Sequence, residues 1–134
     1  LTPGAAIVDE DAHSVTFRRS FSGSFLLDTS INGAPVRMIF DTGASAVVLT
    51  HEDAEAAGYD LSGLRFNIPV QTANGTGRAA LVRIDEINVG NITRSNVRGF
   101  VAEAGALDTS LLGMSFLETL SGYSVRQDTL ELVH

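Results

Sequence analysis

The sequence predicts a mostly β domain, a barrel or a sandwich, on three observations. Apolar and polar residues alternate in short runs, at Val15 and Phe17 and again at Phe25, Leu27 and Ile31. Turn-forming pairs such as Ser22-Gly23 and Asn32-Gly33 separate those runs. Helical patterning is limited to one or two short stretches, which argues against a βαβ fold.

Taken in order, the first run spans residues 14–18, where Val15 and Phe17 alternate with Thr16 and Arg18. The second spans 25–31 and ends at Asn32-Gly33, whose residues both tolerate the positive φ of a tight hairpin. An apolar strand over 36–40 runs straight into Asp41-Thr42-Gly43, and 47–49 reads as another strand. Thr50 as N-cap, Asp53 three residues on and Gly58 as the stop bracket a two-turn helix at 51–57. Strands at 66–72 and 78–84 flank a glycine-rich tip, Ala73-Asn74-Gly75-Thr76-Gly77. Further strands are expected at 87–89 and 97–102, a helix at 113–120, and a closing hairpin from 124–126 and 130–133.

The 134 residues suffice for one domain, with a core large enough to need no staples. With no cysteine, disulfides, thiolate metal sites and cysteine nucleophiles are excluded. All nine basic residues are arginine against sixteen acids, a formal net charge of −7 that repels phosphate backbones and argues against nucleic acid. No apolar run approaches the ~18 residues of a membrane-spanning helix. Leu1-Thr2-Pro3-Gly4 carries neither an initiator Met nor a signal pattern. Residues 1–13 are therefore expected to be a flexible lead-in after a missing N-terminal segment, and 14–134 the folded domain.

The sharpest feature is Met38-Ile39-Phe40-Asp41-Thr42-Gly43-Ala44-Ser45. A D-T-G triplet arises by chance in about 3% of chains this long, so its flanks decide. Three apolar residues lead into Asp41, and a carboxylate at the end of a buried strand is costly unless something requires it. Gly43 lets backbone approach that carboxylate, and Ser45 is expected to donate a hydrogen bond to it. Two other Asp-Thr pairs lack the glycine. Asp28 falls on the polar face of its strand, and Asp108-Thr109-Ser110 reads as a turn or helix cap. Gly75-Thr76-Gly77-Arg78-Ala79-Ala80 precedes a strand, not the helix a dinucleotide site needs. His13, His51 and His134 share no ligand spacing, so no metal or other cofactor is expected. His51 reads as an exposed residue of the first helical turn, and Arg18-Arg19 as a solvated edge.

Phe40-Asp41-Thr42-Gly43-Ala44-Ser45 resembles the active-site loop of the retropepsin-like aspartic proteases, the group that contains the retroviral proteases. The glycine-rich tip lies where that family has its flap. Leu111-Leu112-Gly113 resembles the element that packs behind the catalytic loop, with the family's short helix at 113–120. Residues 72–76 and 111–117 resemble a bacterial branch whose members carry an N-terminal membrane anchor. The resemblance covers about 14–133. It implies a closed barrel with one lobe per chain and Asp41 as the catalytic residue. Thr42 would bond across a dimer axis, Gly43 would offer backbone to the substrate, and Ser45 would orient the carboxylate. Ala73, Asn74, Gly75, Thr76 and Gly77 would form a flap over an extended peptide. It also implies a bacterial periplasmic location, tethered to the inner membrane through a segment absent from this chain.

Two carboxylates sharing one proton are required for peptide hydrolysis by this route, and the chain supplies one. The expectation is a homodimeric aspartic endopeptidase pairing two copies of Asp41 across a twofold axis. The alternative is a silent peptide-binding or dimerisation module of the same fold, which has no need of an intact Asp41-Thr42-Gly43 with Ser45. A glycosidase with paired carboxylates would want sugar-stacking aromatics, and the chain has no Trp and two Tyr.

Overall fold

A computed structural model describes residues 4–72 and 75–134. In chain order the strands are β1 (Ile7–Asp9), β2 (Ser14–Arg18), β3 (Leu26–Ile31), β4 (Ala34–Phe40) and β5 (Val47–Leu49). Helix α1 (His51–Ala56) and a 3-10 turn at Leu61–Gly63 come next. They lead to β6 (Ile68–Thr72), β7 (Gly75–Val89), β8 (Ile92–Ala102) and β9 (Ser110–Leu112). Helix α2 (Met114–Leu117), β10 (Gly122–Arg126) and β11 (Thr129–Val133) complete the chain. The mostly β expectation is met, with two short helices beside the eleven strands of the described residues.

A larger sheet runs β3-β4-β9-β5-β8-β7-β6, and a further pairing of β3 with β7 returns the strand order on itself. Asn32 and Gly33 take φ of 51° and 86°, the left-handed pair a two-residue hairpin needs. The turn joins β3 to β4, and Asn32 also exchanges two hydrogen bonds with Glu86 of β7. A smaller antiparallel sheet runs β1-β2-β11-β10. Residues 7–9 thus form a strand inside the segment expected to be a flexible lead-in, because Val8 pairs opposite Val15.

The core fills from both sheets. Val15, Phe17, Leu130 and Leu132 from the small sheet meet Leu27, Ile31, Met38 and Ile87 from the large one. At that junction Gly90, with φ of +60°, lies where a Cβ would come within 2.7 Å of Val15. Alternation predicted this sidedness: Leu27, Thr29 and Ile31 are buried while Asp28 is exposed, ion-paired to its cross-strand partner Arg37 at 2.9 Å.

Helix α1 starts where expected. Thr50 accepts from the Asp53 amide and Gly58, at φ of +97°, follows the last turn. Helix α2 is shorter than the predicted 113–120, because the chain tightens after Leu117 into i→i−3 bonds and enters β10 at Gly122. Residues 78–84 and 87–89 belong to one long strand, and β8 begins at Ile92 instead of Val97. Among the described residues no helix is long and apolar enough to cross a membrane.

Candidate active site

Strand β4 delivers Asp41. Its end is framed by aromatic edges, with the Phe40 ring 5.5 Å from Tyr123 and 6.5 Å from Phe25, both edge-on. Strand β9 lies parallel to β4 and pairs Ile39 with Leu111 and Phe40 with Leu112. The Asp41 amide extends that ladder by donating to the Leu112 carbonyl at 3.2 Å. The chain then turns, with the Ala44 amide reaching back to the Asp41 carbonyl at 3.3 Å. The Asp41 carboxylate accepts from the Gly43 amide at 2.8 Å. A backbone donor on a carboxylate restricts its rotation, which aims the second oxygen.

The loop is clamped from behind. The Met114 amide donates to the Ala44 carbonyl at 2.9 Å, and a Cβ on Gly113 would fall 2.1 Å from the Ala46 oxygen. Leu112 and Gly113 thus lie directly against the Asp41 loop, with Leu111 paired to Ile39 beside them. Ser115, at the start of α2, adds a second tie. Its hydroxyl accepts from the Val47 amide at 2.9 Å and donates to the Arg98 carbonyl at 2.6 Å.

Asp41 is half-buried, and Thr42, Gly43 and Ser45 are exposed beside it. The hydrogen bond expected from Ser45 to Asp41 does not form. Ala44 and Ala46 turn into the core, which faces Ser45 outward, and the Gly43 amide takes the carboxylate oxygen instead. Gly75, Thr76 and Gly77 open β7, where Thr72 pairs with Gly75 and Gln71 with Thr76 as an antiparallel hairpin. Of the flap residues, Ala73 and Asn74 lie outside the described residues.

A groove of about 450 Å³ opens beside Asp41, walled by Ile39, Phe40, Leu107, Asp108 and Leu111. A smaller hollow of about 80 Å³ lies under Gly75, Thr76 and Gly77, lined by Val48, Val70, Ala102 and Leu107. Beneath both sits a second apolar cluster of Ala44, Val48, Ala102, Leu107 and Leu111, with Phe100 packed on it. Depressions lined by apolar side chains with a few polar groups at the edge are the common form of a ligand site.

Three readings of individual residues change. Of Asp108-Thr109-Ser110, expected to be a turn or cap, the first two residues bend and Ser110 opens β9. Its hydroxyl donates to Asp53 at 2.6 Å and accepts from the Thr50 amide at 2.9 Å, binding α1 to the strand behind the groove. His51 is half-buried against Phe66, with ring centroids 5.8 Å apart. Arg19 is no solvated edge residue, for its guanidinium lies 4.4 Å over the Phe25 ring and bonds the carbonyls of Gly23 and Gln127. Asp108 reaches the groove rim, a placement its turn-like context did not suggest. Ile39 and Leu111 were visible as apolar residues. Their meeting in one wall depends on a parallel pairing between segments some seventy positions apart, which no local spacing encodes.

Among the described residues no three His, Asp or Glu side chains gather as a metal site.

The chain matches the family model for gag-polyprotein putative aspartyl proteases over residues 27–119. It is 44% identical over 135 residues to an uncharacterised Sinorhizobium protein encoded in the cobV 5′ region, covering 98% of this chain. The match spans 58% of that relative's length. Among solved structures it is similar to a retropepsin-like aspartic protease from Rickettsia conorii, with 35% identity, a TM-score of 0.79 and 89% of each chain covered. The protease of EIAV, solved with the inhibitor HBY-793, shares the fold at 20% identity and a TM-score of 0.63, covering 80% of this chain and 97% of its own.

Proposed function

The chain belongs to the gag-polyprotein putative aspartyl protease family, retropepsin-like in fold, and on that premise we propose that it is an aspartic endopeptidase completed by a second copy of itself. The observation that carries this reading is the placement of Asp41. Its carboxylate is held by the Gly43 amide, half-exposed at the end of a buried strand, and it faces a peptide-sized groove. Each chain brings one such group. Asp28 is ion-paired with Arg37 away from the groove, and Asp108 stands on the groove rim outside any glycine-bearing loop.

Two copies of Asp41 meet across a twofold axis, and like charges that close share a single proton. The unprotonated carboxylate takes a proton from a bound water, whose oxygen attacks the scissile carbonyl. The protonated partner donates to the carbonyl oxygen as charge develops there. Collapse of the tetrahedral intermediate breaks the C–N bond, and the leaving amine takes up a proton. Thr42, exposed at the loop tip, bonds to its counterpart across the axis, and the hairpin bearing Gly75, Thr76 and Gly77 covers the substrate and excludes water.

The test is hydrolysis of a mixed peptide library from about pH 3 to 8 by the wild-type chain and by Asp41→Asn. Cleavage by the first and none by a folded, dimeric second is the expected result. Cleavage retained in Asp41→Asn overturns the mechanism, and a dimer that binds peptides without cutting them marks a binding module.

A further inference from the structure

Across β9, β5, β8 and β7, one face of the larger sheet runs from the groove wall to an unneutralised pair of arginines. Leu111 of β9 stands opposite Val48 of β5, Val48 lies beside Phe100 of β8, and Phe100 stands opposite Leu81 of β7. Cross-strand partners project to one side, so these four residues form a row leading away from the Asp41 groove. Leu111 lines that groove, Val48 the hollow under β7, and Leu81 a third depression of about 320 Å³. Two residues along each strand, hence on the same side, Arg98 stands directly opposite Arg83, and both line the third depression.

Like charges directly opposite on paired strands repel. Among the described residues no carboxylate offsets them. Arg83 spends one N–H on the Asn96 carbonyl at 3.0 Å, and Arg98 makes no side-chain hydrogen bond among the described residues. Neither guanidinium has a carboxylate within ion-pairing distance among those residues, although the chain carries sixteen acids. Leu81 beside them is 53% exposed, an apolar floor for a side-chain stem.

We propose that Arg83 and Arg98 form an anion subsite at the outer end of the peptide groove, which takes the carboxylate of an acidic substrate side chain. The proposal rests on the endopeptidase reading and specifies its substrate class. Three interstrand steps of ~4.8 Å separate Leu111 from Leu81, about 14 Å, or roughly four residues of extended peptide at ~3.3 Å each. The preferred substrate therefore carries Asp or Glu roughly three to five residues from the scissile bond.

The experiment compares matched peptides bearing Glu, Gln or Lys at each of those positions, in the wild-type chain, Arg98→Glu and the Arg83→Gln/Arg98→Gln double variant. The readout is the Glu-to-Gln ratio of kcat/KM within each protein. The expected wild-type ratio is about fivefold at one position, the scale of one or two well-placed exposed ion pairs, and it collapses in high salt. It falls to about one in the double variant, and Arg98→Glu shifts preference toward Lys. Equal ratios in all three proteins, or no wild-type preference at any position, overturn the subsite. Binding of the same labelled peptides to Asp41→Asn is measured in parallel by fluorescence anisotropy. A Glu preference there supports the subsite even if no peptide is cleaved, and its absence there overturns it, so failure of the subsite and failure of the protease reading are separable.

Discussion

Ala46 places its carbonyl oxygen 2.1 Å from where a Cβ on Gly113 would stand. Backbone meets backbone at that point, so neither side can swing away as a flexible side chain would. Gly113→Ala is expected to push the Asp41 loop off its support and destabilise the fold by about 3 kcal/mol or more. Gly63→Ala, where nothing lies within 4 Å, should change stability by less than about 0.5 kcal/mol. Urea denaturation of both variants checks the contrast, and equal midpoints would show that the loop yields.

A site assembled from two chains responds to mixing in a way that a single-chain site does not. When wild-type and Asp41→Asn chains are refolded together in equal amounts, random pairing leaves about a quarter of the dimers with two Asp41 residues. Activity per total chain is expected to fall to about one quarter of the pure wild-type value. A fall to only one half would mean that each chain works alone.

Ser110 ties the strand behind the groove to helix α1, accepting from the Thr50 amide and donating to Asp53. Ser110→Ala leaves a buried amide and a half-buried carboxylate without that partner, a cost of about 1–3 kcal/mol. Ser110→Thr keeps the hydroxyl and should recover part of the loss. Thermal unfolding of the two variants distinguishes a lost hydrogen bond from simple crowding at this fully buried position.

Burial raises the pKa of Tyr59 above its ordinary value of 10.0, with a smaller lowering effect from its Asn32 hydrogen bond and a smaller raising effect from Asp85. A raised pKa means the folded state favours the neutral phenol, whose hydroxyl donates to the Arg83 carbonyl at 2.8 Å. This stability is fully present below pH 10.0 and is lost as pH climbs through the folded value. Tyr59→Phe is expected to cost about 1 kcal/mol at neutral pH and to flatten the alkaline decline. Denaturation midpoints between about pH 8 and 11 measure both effects, and an unchanged alkaline slope would contradict the assignment.

Much of the local structure was legible because its signals are local. Asn32-Gly33 marks its hairpin through the φ values it tolerates, and Thr50 with Gly58 brackets α1 through a side-chain cap and a left-handed exit. The strand at residues 7–9 was missed because its partner, Val15, lies across a turn with no glycine; His13 takes the positive φ there. Residues 78–84 and 87–89 read as two strands because Asp85-Glu86 breaks the apolar alternation. In the structure β7 continues past them, and its partner strand takes up the irregularity at Asn96, which adopts φ of 55°.

At the site, the residue types are legible in the sequence and their geometry is not. Asp41 and its glycine stand out by residue type and flanks, from a short-range need for charge and close approach, whereas Leu111-Leu112-Gly113 is named only through its resemblance to the family's backing element. Whether Ser45 or the Gly43 amide bonds the carboxylate, whether Ser110 caps a helix or buttresses a strand, and whether Arg83 faces Arg98 all depend on contacts between distant segments. Strand alternation tells which residues share a side of one strand. Only the pairing of strands far apart in sequence decides which sides meet. The sequence by itself determined a small β domain carrying one carboxylate at a strand end. Tertiary structure decided what that carboxylate touches and what the groove beside it presents, because register between remote strands is set by packing the whole core at once.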